Sequence, residues 1–196
     1  MRIAIVGLGL IGASVAKGFK RFTDFEILGC DRDEHVMEKA LADKTIDGAL
    51  ADRLPECDIV ILGLYPDAAI QYMSESGKFI SPETIVADVG GVKERVCGGI
   101  RPVAEKYGFT FIGMHPMAGI EKSGFSWSKQ DLFQGASMIF VPPENGDAVL
   151  ARAGDFVRRL GFGRITVTTA AEHDRTIAYT SQLAHVVSSA YIKSPT

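Results

Sequence analysis

Arg2-Ile3-Ala4-Ile5-Val6-Gly7-Leu8-Gly9-Leu10-Ile11-Gly12 is the stretch on which the reading of the whole chain turns. Arg2 to Val6 is a short β-branched run, the pattern of a strand buried on both faces of a parallel sheet. It runs directly into G-x-G-x-x-G, and a helical pattern follows. Ile11, Val15 and Phe19 recur every four residues on one face, while Lys17 and Lys20 point elsewhere. In a strand–turn–helix of this kind Gly7 makes the tight turn. Gly9 lets the backbone approach a pyrophosphate, and Gly12 lets the helix pack close on the sheet. The helix N-terminus, through Leu10 and Ile11, then offers unpaired N–H groups and a positive dipole end to phosphates.

A glycine motif alone is weak, so its context matters. A second strand, Phe25 to Cys30, ends in Asp31, 19 residues after Gly12. That is close to the spacing of about 20 at which an acid binds the adenosine ribose hydroxyls. A carboxylate there repels a 2′-phosphate, which favours NAD over NADP. Arg32 beside it is placed to stack on adenine or to soften that preference. The plainer alternative for Asp31 is an N-cap for a helix over 33–42.

Outward from this unit the alternation continues. Asp58 to Leu64 reads as a third strand ending at Tyr65-Pro66, with a helix over Ala68 to Gly77. Thr84 to Val89 is a fourth strand, followed by Gly90-Gly91. Lys93 to Tyr107 is helical, with a kink or interruption expected at Pro102. Phe109 to Gly113 is a fifth strand leading to His115, and Pro116 should stop it for want of an N–H. Gly119 and Gly124 then permit backbone turns. Met138 to Val141 and Arg164 to Thr168 are further strands. Between them Gly146 to Leu160 is a helix with Val149, Phe156, Val157 and Leu160 inward. Strands alternating with helices predict an α/β, doubly wound parallel sheet.

In such a sheet the carboxyl ends of the strands form one ligand-binding edge. That edge collects Gly7 to Gly12, Asp31 and Arg32, Leu64-Tyr65-Pro66, Gly90 and the segment from His115 to Ser123. His115 is the one neutral-range acid or base placed on it. A histidine merely satisfied by hydrogen bonds at a strand end is the plainer reading. The dinucleotide context argues for chemistry. His35 reads as a solvated helix residue and His173 as a helix-start hydrogen-bonding residue. Lys93 reads either as a solvated helix residue or as a group reaching the cofactor edge.

After Thr169 the pattern changes. Ala170 to Lys193 is helical and apolar on more than one side, so it wants more than one partner. This divides the chain into a dinucleotide-binding domain over 1–168 and, over 169–196, the first helix of a truncated helical domain or a surface buried against another subunit.

The totals agree. The 196 residues are 46% hydrophobic and 23% charged, with a net charge of −3. That balance gives no reason to expect nucleic acid or an anionic membrane as partner. Cys30, Cys57 and Cys97 are far apart, odd in number and without C-x-x-C, and no metal-ligand spacing appears. They read as reduced thiols of a cytoplasmic protein. Met1 to Ala16 has the look of a secretory signal, but three glycines fit a strand–turn–helix far better than a signal core.

The chain resembles the prephenate dehydrogenase family, which includes arogenate dehydrogenases. The matching segments are Gly7 to Ser14, Asp88-Val89-Gly90-Gly91-Val92-Lys93, Gly113 to Gly124, His173-Asp174 and Ser181 to His185. The resemblance spans the whole chain. It implies a Rossmann-type fold followed by an all-helical dimerisation domain, and a homodimer formed through it. It implies NAD-dependent oxidative decarboxylation of prephenate or arogenate in tyrosine biosynthesis, without a metal. Carried over by position, His115 takes the proton of the substrate ring hydroxyl as hydride leaves. Glu121, Ser123, Ser181, Gln182 and His185 fall at substrate-binding positions. The chain departs from the family at Gly91, where a serine that orients the histidine is usual, and at Gln182, where a second histidine is common. The family's substrate-binding arginine has no counterpart in this sequence. Two other readings compete: a small dehydrogenase of imino or hydroxy acids, and a non-catalytic NAD-binding regulatory module.

Overall fold

The structure, a computed structural model, describes residues 1–144 and 146–193. Among the described residues, eight strands form one sheet in the order β3-β2-β1-β4-β5-β6-β7-β8. In chain order the elements are β1 (Arg2–Val6), α1 (Leu10–Phe22), β2 (Glu26–Cys30), α2 (Glu34–Ala42), β3 (Gly48–Ala49), β4 (Ile59–Leu62) and α3 (Pro66–Ser76). They continue with β5 (Ile85–Asp88), α4 (Glu94–Tyr107), β6 (Thr110–Met117), β7 (Ser137–Val141), α5 (Asp147–Arg159), β8 (Arg164–Val167), α6 (Ala170–Ile177) and α7 (Leu183–Lys193).

Strand alternation divides the core into two layers. Ile3, Ile5, Ile59, Ile61, Ile85 and Ile112 project to one face, where they pack with Val15 and Phe19 of α1 and Phe156 and Val157 of α5. Ala4, Val6, Val60, Leu62, Val86 and Phe111 project to the other, against Ala69 and Met73 of α3 and Val96, Cys97 and Ile100 of α4. The strands β1, β4, β5 and β6 thus feed both layers, which is why their runs are mostly apolar. β1 pairs in parallel with both β2 and β4. Strand order reverses between β1 and β4, and the crevice outside that point is where a doubly wound sheet binds its ligand.

The sheet departs from expectation in three places. It is not wholly parallel, because β7 runs antiparallel to β6, with His115 opposite Ile139 and Pro116 opposite Met138. Pro116 does not stop β6. The β5 partner ends at Gly113, so past that residue β6 has a free edge on which a proline costs no ladder bond. The two-residue edge strand β3 was too short to show a pattern. Helix α4 runs through Pro102 as one helix and closes on Gly108, whose φ of 84° is the left-handed C-cap conformation. Gly124 has a φ of 91° and needs its glycine for that turn, whereas Gly119 takes no such φ. The helical run after Thr169 is broken by a π-helical turn over Ala178–Gln182.

Candidate active site

The turn after β1 is built around absent side chains. Gly7 has φ 92°, and a Cβ on it would lie 2.6 Å from the Gly63 carbonyl oxygen. A Cβ on Gly12 would lie 2.0 Å from the Gly7 carbonyl oxygen. Here the chain, not a ligand, requires glycine. Gly9 differs: a Cβ there would meet nothing within 4 Å among the described residues, which leave that space open. Gly9 is also the N-cap of α1, without a side-chain cap bond and with no acid in the first turn. The first N–H groups of α1, from Leu10 onward, therefore have no side-chain acceptor and a favourable dipole for an anion. These features fit a dinucleotide's pyrophosphate.

Asp31 does not cap α2, since Asp33 holds that position and accepts from the His35 N–H at 3.0 Å. The Asp31 carboxylate instead accepts the Leu8 N–H at 2.7 Å and the Asp33 N–H at 3.0 Å. It braces the glycine turn from the next strand. Arg32 is exposed. Leu64 to Pro66 lie just past β4, where Tyr65 is the N-cap of α3 and Pro66 its first residue. Tyr65 is 84% exposed. Gly90 follows β5 and donates to the Asp88 carboxylate at 3.0 Å. The proposed cofactor positions thus sit at the ends of the adjacent strands β2, β1, β4 and β5.

His115 lies within β6, on the face shared by Phe111 and α4. Its Nε2 is 3.7 Å from where a Cβ on Gly91 would be, so this nitrogen abuts the loop after β5. Its Nδ1 is 2.8 Å from His173 Nε2. His173 Nδ1 in turn is 2.6 Å from the Asp174 carboxylate, and His173 is 2% exposed. The same carboxylate accepts the Lys93 N–H at 2.8 Å and the Glu94 N–H at 2.9 Å, which ties α6 to the N-terminus of α4. Burial pushes the Asp174 carboxyl up, but the Glu94 and Lys93 N–H groups and His173 outweigh it and hold it below the ordinary value. Burial first, then charge on His173 and on Lys93, pulls the His115 imidazole down to about 4, against the opposite influence of Asp174. At neutral pH it is an uncharged ring with a lone pair available.

His173 does lie in the first turn of α6 and is hydrogen-bonded there, but it is not the cap, and its ring also reaches His115. Thr169 caps α6, accepting from the Glu172 N–H at 3.2 Å. Nor is His115 alone on its edge. Sequence spacing could not show this pairing, because the two histidines are 58 residues apart. Lys93 is neither solvated nor free: it is fully buried, with its ammonium on the Asp88 carboxylate. Burial raises the Asp88 carboxyl, with Lys93 opposing. A Cβ on Gly113 would fall 3.1 Å from Lys93 Cδ, so glycine in β6 makes room for the lysine stem.

Glu121 and Ser123 lie on the exposed loop after β6, and the hydrogen bonds of the described residues do not link them to His115. The side chains of Ser181, Gln182 and His185 lie outside the described residues. Among the described residues no helix is long and apolar enough to cross a membrane.

Residues 15–166 match the family model described as prephenate dehydrogenase, nucleotide-binding domain. The chain is 31% identical to a cyclohexadienyl dehydrogenase of Zymomonas mobilis, over 94% of this chain and 64% of that protein. It superimposes on Synechocystis arogenate dehydrogenase with a TM-score of 0.83 and 32% identity, covering 98% of this chain and 68% of that one. For Aquifex aeolicus prephenate dehydrogenase in complex with hydroxyphenyl propionate and NAD+, the TM-score is 0.88 at 26% identity, over 98% and 68% of the two chains. The chain spans between 52% and 64% of the length of the curated relatives it matches. With the glycine turn, the strand order and the His115 strand all in place, the chain belongs to the prephenate dehydrogenase family, of which it carries the nucleotide-binding domain.

Proposed function

We propose that the protein catalyses the NAD-dependent oxidative decarboxylation of prephenate, or of its amino counterpart arogenate, with His115 as proton acceptor. One observation carries the proposal. The His115 ring is uncharged at neutral pH and turns Nε2 to the loop at Gly91, on the strand edge where the glycine turn would hold a dinucleotide.

Bound NAD+ supplies the hydride acceptor. His115 Nε2 accepts a hydrogen bond from the ring hydroxyl of the cyclohexadienol and takes its proton as hydride leaves the same carbon. The electron pair of the bond to the ring carboxylate moves into the ring as CO2 departs, the phenolate oxygen takes its proton back from His115, and aromatisation drives the loss. The half-buried position of His115 keeps bulk water from competing for the proton. Asp31 favours NAD over NADP, since a 2′-phosphate would meet its carboxylate. Glu121, Ser123, Ser181, Gln182 and His185 are the proposed substrate contacts, and the helical region from Ala170 is the proposed homodimer surface.

The Gly91 departure favours one other reading, a dinucleotide-binding module without turnover. Assay of the full-length protein with prephenate and arogenate, each with NAD+ and NADP+, decides. NADH formation from either substrate supports the enzyme. NAD binding by calorimetry with no NADH from either would establish the silent module, and turnover of a simple hydroxy acid alone would point to a different dehydrogenase.

A further inference from the structure

We infer that His173 and Asp174 are positioning residues that make Nε2, rather than Nδ1, the basic nitrogen of His115. The inference rests on the reading of His115 as proton acceptor, but it predicts a property of the resting protein that exists without substrate.

The argument follows protons along three groups. A carboxylate only accepts hydrogen bonds, so the 2.6 Å contact with Asp174 places a proton on His173 Nδ1. With His173 neutral, the form the inference requires, its Nε2 carries a lone pair. That lone pair lies 2.8 Å from His115 Nδ1, and two nitrogens at this distance share one proton between them. His115 Nδ1 must carry it. The remaining nitrogen, Nε2, is left with its lone pair and faces the loop at Gly91. This is the tautomer a base needs at that face. When Nε2 takes a proton, the imidazolium keeps its Nδ1–H bond to His173, with the Asp174 carboxylate behind it.

Asp174 is well suited to start the chain. The Lys93 and Glu94 N–H groups at the head of α4 hold its carboxylate, and a helix N-terminus favours the ionised form. The charged groups packed round the two rings, among the described residues, are Lys93 at the N-cap of α4 with its partner Asp88 on β5, and Asp174 on α6. Protonation of His173 would reverse the bond. Its Nε2 would donate to His115 Nδ1, and the His115 proton would move to Nε2, which would abolish the base. Gly91 offers no side-chain group to Nε2, so orientation comes from the Nδ1 side.

The test is nitrogen-15 NMR of histidine-labelled full-length protein at pH 7.5 without ligand, joined to kinetics of two variants. The expected wild-type spectrum has a protonated Nδ1 and a lone-pair Nε2 on His115; the reverse assignment overturns the inference. His173→Leu removes the acceptor and should lower kcat by at least ~10-fold, with KM and NAD affinity changed less than about 3-fold. His173→Gln returns an amide oxygen near the Nε2 position and should recover most of that loss and the wild-type tautomer. A folded His173→Leu protein with unchanged kcat also overturns the inference. Should the leucine variant not fold, the wild-type and glutamine spectra still decide. A His115→Asn protein with normal turnover would instead remove the base reading itself, whatever the tautomer.

Discussion

The Asp31 carboxylate accepts the backbone N–H of Leu8 at 2.7 Å, so the acid at the end of β2 also supports the turn at the end of β1. The side chain braces the loop that would hold a pyrophosphate, and the proposed ribose contact would give it a second task. Asp31→Ala should weaken NAD binding by about 10-fold or more and bring NADP affinity nearer to that for NAD. Calorimetric titration with both nucleotides checks this. Unchanged affinity for both would take Asp31 out of the ribose site.

Two neighbouring glycines should separate folding from binding. Gly12→Ala places a Cβ 2.0 Å from a backbone oxygen that cannot swing away. It should cost ~2–4 kcal/mol, in the range of overpacked cores. Gly9→Ala places a Cβ with no atom of the described residues within 4 Å, so stability should stay within about 1 kcal/mol while NAD affinity falls. Denaturant melts and nucleotide titrations of both variants make the comparison. Equal losses of stability would refute the open cradle at Gly9.

His115→Asn should keep NAD binding and lose turnover by ~10²-fold or more, the scale of a missing general base. Stopped-flow NADH formation at saturating substrate is the measurement. A near-normal rate would end the role of His115 as proton acceptor.

Stability should depend on pH through the same ring. The folded protein holds His115 down to about 4, whereas an unfolded histidine titrates near 6.5. Between these values the unfolded chain binds more protons than the native one, so the contribution is fully present above about pH 6.5 and is lost as pH falls toward 4. The loss should amount to ~2–3 kcal/mol. Urea melts across pH 4 to 7 on wild type and His115→Asn isolate it. A wild-type slope that survives in the variant would assign the effect to other groups.

The buried Lys93–Asp88 pair should behave as a unit. Lys93→Met leaves a carboxylate buried without its cation and should destabilise by ~3–5 kcal/mol. Adding Asp88→Asn, which keeps an acceptor for the Gly90 N–H, should recover much of that loss. A double variant as unstable as the single one would contradict the pairing.

Much of this was legible in one dimension because the physics is local. Gly7, Gly9 and Gly12 stand at the spacing a strand–turn–helix needs, and the β-branched runs of β1, β4 and β5 announce strands buried on both faces. Asp31 could be found because its distance from the glycines along the chain is set by one helix and one strand. Where sequence reasoning went astray, a neighbour remote in sequence had changed the local rule. Pro116 should have ended a strand, but it sits where β6 has lost one of its partners. Lys93 read as a solvated helix charge or a group reaching the cofactor edge, yet Asp88 on β5 and the missing side chain at Gly113 let it be buried.

By itself, then, the sequence determined the doubly wound sheet, the glycine turn, the acid at the end of β2 and the histidine near the end of β6. Hydrophobic period and turn chemistry act over a few residues and can be read from them. Only the tertiary structure decided what holds that histidine. His115 and His173 belong to a strand and a helix far apart in the chain, and Asp174 reaches across to the head of α4. Which nitrogen carries a proton depends on a hydrogen bond made only after the sheet and the last helices have packed together.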